Sequence, residues 1–128
     1  AVKVLLDPIE DDPEAVARFQ LEAQVASGIE DEGVIAVYDV GIESGQHYYA
    51  MEFCAGTTLE ERLRRGPLPP DEAGRTVSRL ARTVEAAHAR GVIHRDLKPA
   101  NVILEEGTGR PRILDFGMAR QKTREGLT

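Results

Sequence analysis

The run His94-Arg95-Asp96-Leu97-Lys98-Pro99-Ala100-Asn101 is followed, fourteen residues after Asn101, by Asp115-Phe116-Gly117. Together these segments hold the residue types needed to move a phosphoryl group. Such a transfer needs hard oxygen ligands for a divalent ion, an acceptor for a hydroxyl proton, and a cation facing the phosphate charge. Asn101 and Asp115 suit Mg²⁺, Asp96 suits the base, and Lys98 suits contact with the phosphate in transit. Taken singly, Asp96, Asn101 and Asp115 are ordinary loop and turn formers; their joint spacing sets them apart. His94 taken singly reads as a satisfied core histidine, and no chemistry is assigned to it.

The elements that must position these residues follow from pattern. Residues 1–6 read as a strand by alternation, and Asp7-Pro8 breaks it. Asp12 as N-cap and Pro13 in the first turn open a helix to about Ala26, with Val16, Phe19, Ala23 and Ala26 on one face. At about 100° per residue, Glu22 lies about 40° from Ala26 and so borders that stripe. Val34–Val40 and Tyr48–Phe53 read as two strands of a hairpin turning within Gly41–Gly45. Thr58-Leu59-Glu60-Glu61 is a capping box opening a short helix that ends near Arg65-Gly66. After the Pro67–Pro70 turn, the longest helix is expected over Asp71–Arg90, closed by Gly91. Its apolar face would hold Ala73, Val77, Leu80, Ala81, Val84 and Ala87, and Gly74 inside it costs about 1 kcal/mol against alanine. Three strands follow: Val92-Ile93, Val102–Leu104 and Arg112–Leu114, the last two joined through Gly107-Thr108-Gly109. The layout is α+β, a small strand-rich half before a helix-rich half.

A lysine in a short apolar strand is costly unless its ammonium finds a partner or water. Lys3 taken alone would snorkel to solvent. Composition narrows the classes: 22 acidic against 16 basic residues give a net charge of −6, which disfavours nonspecific binding to nucleic acid or anionic membrane. Basic residues gather at Arg62, Arg64 and Arg65, read as a solvated helix end, and again at Arg110, Arg112, Arg120, Lys122 and Arg124. Cys54 as the single cysteine excludes an internal disulfide and fits a reducing, cytoplasmic compartment. Three scattered histidines make a zinc site unlikely. No apolar run reaches the length of a membrane span, and no signal peptide opens the chain.

The two chemical segments resemble the H-R-D-L-x-x-x-N catalytic loop and the D-F-G metal-binding loop of protein kinases. Lys98, two residues after Asp96, resembles the serine/threonine branch, and "VYDVG", "MEF" and "HARGVIHRDLKPANVIL" are similar to bacterial kinases of that type. The resemblance covers essentially the whole chain. It implies a truncated two-lobe kinase fold: a partial N-lobe at 1–51, a hinge at 52–57, and a partial C-lobe from 58 to 128. It implies ATP and Mg²⁺, a protein substrate with a Ser/Thr acceptor, Asp96 as catalytic base, and Asn101 and Asp115 as metal ligands. Ala1-Val2-Lys3 resembles the end of the V-A-I-K motif, so Lys3 would hold the α/β-phosphates and pair with Glu22, and Ala1 would lie against adenine. Met51 would be the gatekeeper. Glu52 would offer its carbonyl, and Cys54 its N–H and C=O, to adenine; Ile103 and Lys98 complete the nucleotide set. Arg95 resembles the arginine that binds an activation-segment phosphate, for which Thr128 is better placed than Thr123.

The glycine-rich loop of this family would precede Ala1 and its A-P-E segment would follow Thr128, so the chain is expected to be a piece of a kinase domain. Asp31-Glu32-Gly33-Val34 departs from a common His-Pro-Asn-Ile, with only a local loop effect expected. An active kinase and a noncatalytic, pseudokinase-like binding module both stay open at this point, and the oligomeric state is not specified.

Overall fold

A computed structural model describes residues 1–4, 13–114 and 116. The backbone forms β1 (Val2–Val4), α1 (Pro13–Ser27), β2 (Val37–Glu43), β3 (Gln46–Met51), β4 (Gly56–Thr58), α2 (Leu59–Arg64), α3 (Pro70–Ala89), a 3₁₀ turn (Pro99–Asn101), β5 (Val102–Glu105) and β6 (Pro111–Ile113). Two three-stranded antiparallel sheets result, in the orders β1-β3-β2 and β4-β5-β6. The chain passes between them through 52–55.

The β2–β3 hairpin is longer than the sequence pattern suggests. Ser44 (φ 50°) and Gly45 (φ 77°) make a two-residue turn, the geometry whose twist matches paired strands, so Gly41 stays within β2. Val34–Ala36 leave this sheet instead. Val34 bridges Ile113 in parallel, Ile35 N–H donates to the Ile113 carbonyl at 2.9 Å, and Ile113 N–H to the Gly33 carbonyl at 2.7 Å.

Helix α2 opens as its capping box requires, with Thr58 Oγ1 accepting from Glu61 N–H at 3.1 Å. Thr58 also closes β4, a strand the sequence pattern does not announce. Gly56 permits it: a Cβ there would stand 2.1 Å from the Leu104 carbonyl oxygen across the β4–β5 pair. Val92-Ile93, expected as a strand, is irregular. Val92 N–H returns to the Ala87 carbonyl at 3.0 Å, which turns the chain off α3 and commits the Val92 donor.

The core joins Ile29 and Val34 of the loop after α1, Ala87 of α3, Val92, Ile113 of β6 and Phe116, with Leu80 and Val84 packed against it. Helix α3 buries Thr76, Thr83 and Ala87, so the buried arc is rotated from the expected one and Val77 is 64% exposed. The cause is the loop at Gly33, which presses on Thr83: a Cβ on Gly33 would lie 2.0 Å from Thr83 Oγ1. Thr83 tolerates burial because its hydroxyl donates to the Arg79 carbonyl one turn back, at 3.1 Å. Among the described residues no helix is long and apolar enough to cross a membrane.

Candidate active site

The segment between α3 and β5 is held by side chains reaching back to main chain. His94, 3% exposed, places Nε2 2.7 Å from the Leu114 carbonyl oxygen. A carbonyl only accepts, so the proton is on Nε2, and Nδ1 accepts the Asp96 N–H at 3.2 Å. The same ring meets Phe116 edge-on, with centroids 4.7 Å apart at 71°. One imidazole thus ties the Asp96 loop to the residues on either side of Asp115, which itself lies outside the described residues.

Asn101 fixes the other side of Asp96. Its Nδ2 donates to the Asp96 carbonyl at 2.9 Å, its N–H to the Lys98 carbonyl at 2.9 Å, and its own carbonyl accepts Leu114 N–H at 2.8 Å. Between the two anchors Arg95 is driven to φ 69°, a conformation that costs a non-glycine residue about 1–3 kcal/mol and that surrounding contacts must sustain. The Asp96 carboxylate is about half exposed, with Oδ2 3.4 Å from Lys98 Nζ. A carboxylate and an ammonium therefore face solvent from one constrained loop, beside an open cavity of about 300 Å³ lined by Glu60, Leu63, Arg64, Lys98, Pro99 and Ala100.

The nucleotide set is built on β1, β3, β5 and the segment after β3. Ala1 and Met51 exchange main-chain hydrogen bonds at 2.7 and 2.8 Å, and Lys3 is in register with Tyr49. Glu52 N–H donates to the Ala36 carbonyl at 2.8 Å, whereas no described turn or loop backbone group engages the Glu52 carbonyl or the Cys54 main chain. Burial pushes the Cys54 thiol above its ordinary pKa, which disfavours the thiolate form. Ile103, half-buried on β5, pairs with Thr58 on one side and Arg112 on the other. The side chains of Lys3, Glu22, Phe19, Ala23 and Ala26, and all of Asp12, Asp115, Thr123 and Thr128, lie outside what is described; so does the Lys3–Glu22 pair. Among the metal candidates, Asn101 fits a hard ion: Nδ2 is committed to Asp96, which leaves the amide Oδ1 as the ligand atom.

Sequence reasoning missed Arg112. Its guanidinium, 11% exposed, meets Glu52 with two parallel bonds, Nη2 to Oε2 at 2.7 Å and Nη1 to Oε1 at 3.0 Å. It also reaches Glu105 Oε2 at 3.4 Å and the Val34 carbonyl at 3.2 Å. The hydrogen bonds from Arg112 hold the Glu52 carboxyl below its ordinary pKa, and Glu52 in turn holds the guanidinium's pKa up. The signal was present: Pro111-Arg112-Ile113 puts a cation in an apolar strand, the same anomaly that singles out Lys3. By contrast Arg62 and Arg64 behave as expected at a helix end, donating to the Gly66 carbonyl at 3.2 Å and pairing with Glu60 at 3.8 Å.

Two antiparallel sheets joined by a short connector, with an Asp-Lys-Asn loop tied through histidine to a buried phenylalanine, define one lobe and the start of the next in a phosphotransferase fold. The protein kinase domain family matches residues 1–128, and the chain belongs to that family. It is 37% identical to the probable serine/threonine-protein kinase PknB of Lactococcus lactis, across the whole chain and 20% of that protein. It is 35% identical to the serine/threonine-protein kinase PrkC of Bacillus subtilis, over 93% of the chain and 18% of that protein. The solved PknI kinase domain of Mycobacterium tuberculosis superposes with a TM-score of 0.81 at 36% identity, over 92% of the chain and 49% of the solved domain. The chain is therefore part of a kinase domain, spanning about a fifth of these curated relatives and about half of the solved domain: a truncated N-lobe and the beginning of the C-lobe.

Proposed function

We propose that the protein containing this chain transfers the γ-phosphoryl group of ATP to Ser or Thr hydroxyls of proteins, with Asp96 as the base. The observation that carries this reading is the constrained Asp96–Lys98 pair, 3.4 Å apart, on a loop anchored by Asn101 and His94. The acceptor hydroxyl oxygen attacks the γ-phosphorus, its proton passes to the Asp96 carboxylate, and the bond to the β–γ bridging oxygen breaks to release ADP. Lys98 faces the charge on the transferred group, and the cavity beside it admits a substrate segment. Asn101 Oδ1 and Asp115 would hold Mg²⁺, which when bound neutralises phosphate charge. The carbonyl of Glu52 and the main chain of Cys54 take the adenine edge, with Ala1, Met51 and Ile103 around it, and Lys3, oriented by Glu22, takes the α/β-phosphates.

The division into 1–51, 52–57 and 58–128 belongs to the same reading, supported by the two sheets on either side of the connector. So does a cytoplasmic site of action, where ATP is available. Spanning half of a solved kinase domain, the 128-residue chain by itself is expected to transfer phosphate weakly or not at all.

The test is Mg²⁺-dependent transfer of labelled γ-phosphate to a Ser/Thr-containing carrier protein, using the kinase domain given by the reading frame around this chain. Asp96→Asn should cut the rate by at least about 100-fold while a fluorescent ATP analogue still binds. A folded wild-type domain that binds the analogue but transfers nothing makes this a noncatalytic nucleotide-binding module instead.

A further inference from the structure

Four segments meet at the Arg112 guanidinium: the connector through Glu52, β5 through Glu105, the 33–36 loop through the Val34 carbonyl, and β6 itself. Arg112 stands three residues before Asp115, and Glu52 stands at the end of β3, where the main chain leaves the first sheet. The pair spans 60 residues of sequence. The second Glu52 oxygen also accepts the Ala36 N–H at 3.4 Å, so both the backbone and the side chain of Glu52 are fixed.

We propose that Arg112 is a positioning residue for the nucleotide: from β6 it locks the Glu52 side chain in place, holding the adenine-binding main chain of the connector in register with the second sheet. This rests on the functional reading above. The case against a purely structural role is energetic. Withdrawing much of an arginine side chain from water is costly, and an ion pair so shielded gains little net stability over apolar residues of the same shape. What the bidentate fork does supply is direction, because both Nη–oxygen distances must be satisfied together. The described hydrogen bonds of the guanidinium all come from Nη1 and Nη2, the two shortest of them to Glu52, while Nε has no hydrogen-bond partner among the described residues. An adenine ring reaching the Glu52 carbonyl would then meet a main chain whose position this pair sets.

The experiment uses the kinase domain given by the reading frame, with Arg112→Met, Arg112→Lys, Glu52→Gln and the Glu52→Gln/Arg112→Met double variant. Read out are KM for ATP, kcat, the Kd of a fluorescent ATP analogue, and thermal unfolding. Arg112→Met should raise KM and Kd about tenfold while kcat falls less than about threefold. Arg112→Lys should recover part of the loss, since it keeps the charge but not the fork. Glu52→Gln should weaken ATP in the same direction, and the double variant should be no worse than Arg112→Met, because both changes remove one interaction. A folded Arg112→Met domain with KM and Kd within about twofold of wild type overturns the proposal, as do additive effects in the double variant. If Arg112→Met does not fold, Glu52→Gln, which keeps the side-chain shape, decides alone: unchanged Kd overturns the proposal. Wild type that binds no nucleotide overturns the functional reading and takes this inference with it; unaffected variants on a binding wild type overturn this inference only.

Discussion

His94 does its work without touching substrate. It spends one ring nitrogen on the Leu114 carbonyl and the other on the Asp96 N–H, while its edge packs on Phe116. His94→Ala removes both bonds, leaves a buried donor and acceptor unsatisfied, and opens a void beside Phe116. Urea unfolding should show a loss of about 2–4 kcal/mol; His94→Phe, which keeps the ring, should lose about 1–3 kcal/mol. The structural role of His94 was legible in sequence, because a histidine amid apolar residues must be satisfied. Asp96, Lys98 and Asn101 were legible as a group, and the fold does bring them together. Arg112 was not: it read as one member of a basic cluster extending to Arg124, and a charge count over a window hides the single cation whose strand neighbours, Pro111 and Ile113, are buried. Strand alternation, applied to Arg112 as it was to Lys3, would have asked for its partner.

Elements were legible where their ends are chemically marked. The capping box placed α2, and Pro70 with Gly91 bracketed α3 to within a residue. Faces were less legible than boundaries. The apolar stripe of α3 is wider than the arc it buries, and which part is covered depends on Gly33, far from the helix in sequence and visible only once the loop is folded. Departure from His-Pro-Asn-Ile at 31–34 is thus more than local: Asp31 Oδ1 accepts the Gly33 N–H at 2.8 Å, and this turn is pressed against α3. Gly33→Ala should destabilise the chain by about 1–3 kcal/mol through overpacking. Adding Thr83→Ala should recover part of it, since the side-chain atoms Oγ1 and Cγ2 are the two nearest to the added methyl; denaturant midpoints of the single and double variants measure the coupling. Gly74 is the opposite case. Nothing lies within 4 Å of a Cβ built there, so Gly74→Ala should stabilise by about 1 kcal/mol and raise Tm by about 3 °C.

At the scale of the whole molecule, a set of polar ties among the described residues joins the first sheet to the rest. Among the described residues the core cluster draws on α3, β6 and the 29–34 loop, not on β1, β2 or β3. What links β3 onward is the Glu52 N–H to Ala36, the pairing of Ile35 with Ile113, and the Glu52–Arg112 fork. Of these only the fork is made of titratable groups. Arg112 remains charged throughout, because its pKa is raised further by Glu52. Glu52 has its folded pKa depressed by Arg112, so its contribution to stability is complete above the unfolded carboxylate pKa of about 4.3 and declines as pH falls through the lower folded value. Thermal unfolding followed from pH 6 down to about 3 should therefore show an acid-side loss beginning below about pH 4.3. Glu52→Gln should flatten part of that slope while lowering Tm at pH 6, because it replaces the charged acceptor with a neutral one. The alkaline side, between pH 7 and about 10, should show no change assignable to this pair. An acid slope identical in wild type and Glu52→Gln would mean that the sheets are held by the backbone ties and the fork adds nothing to their union.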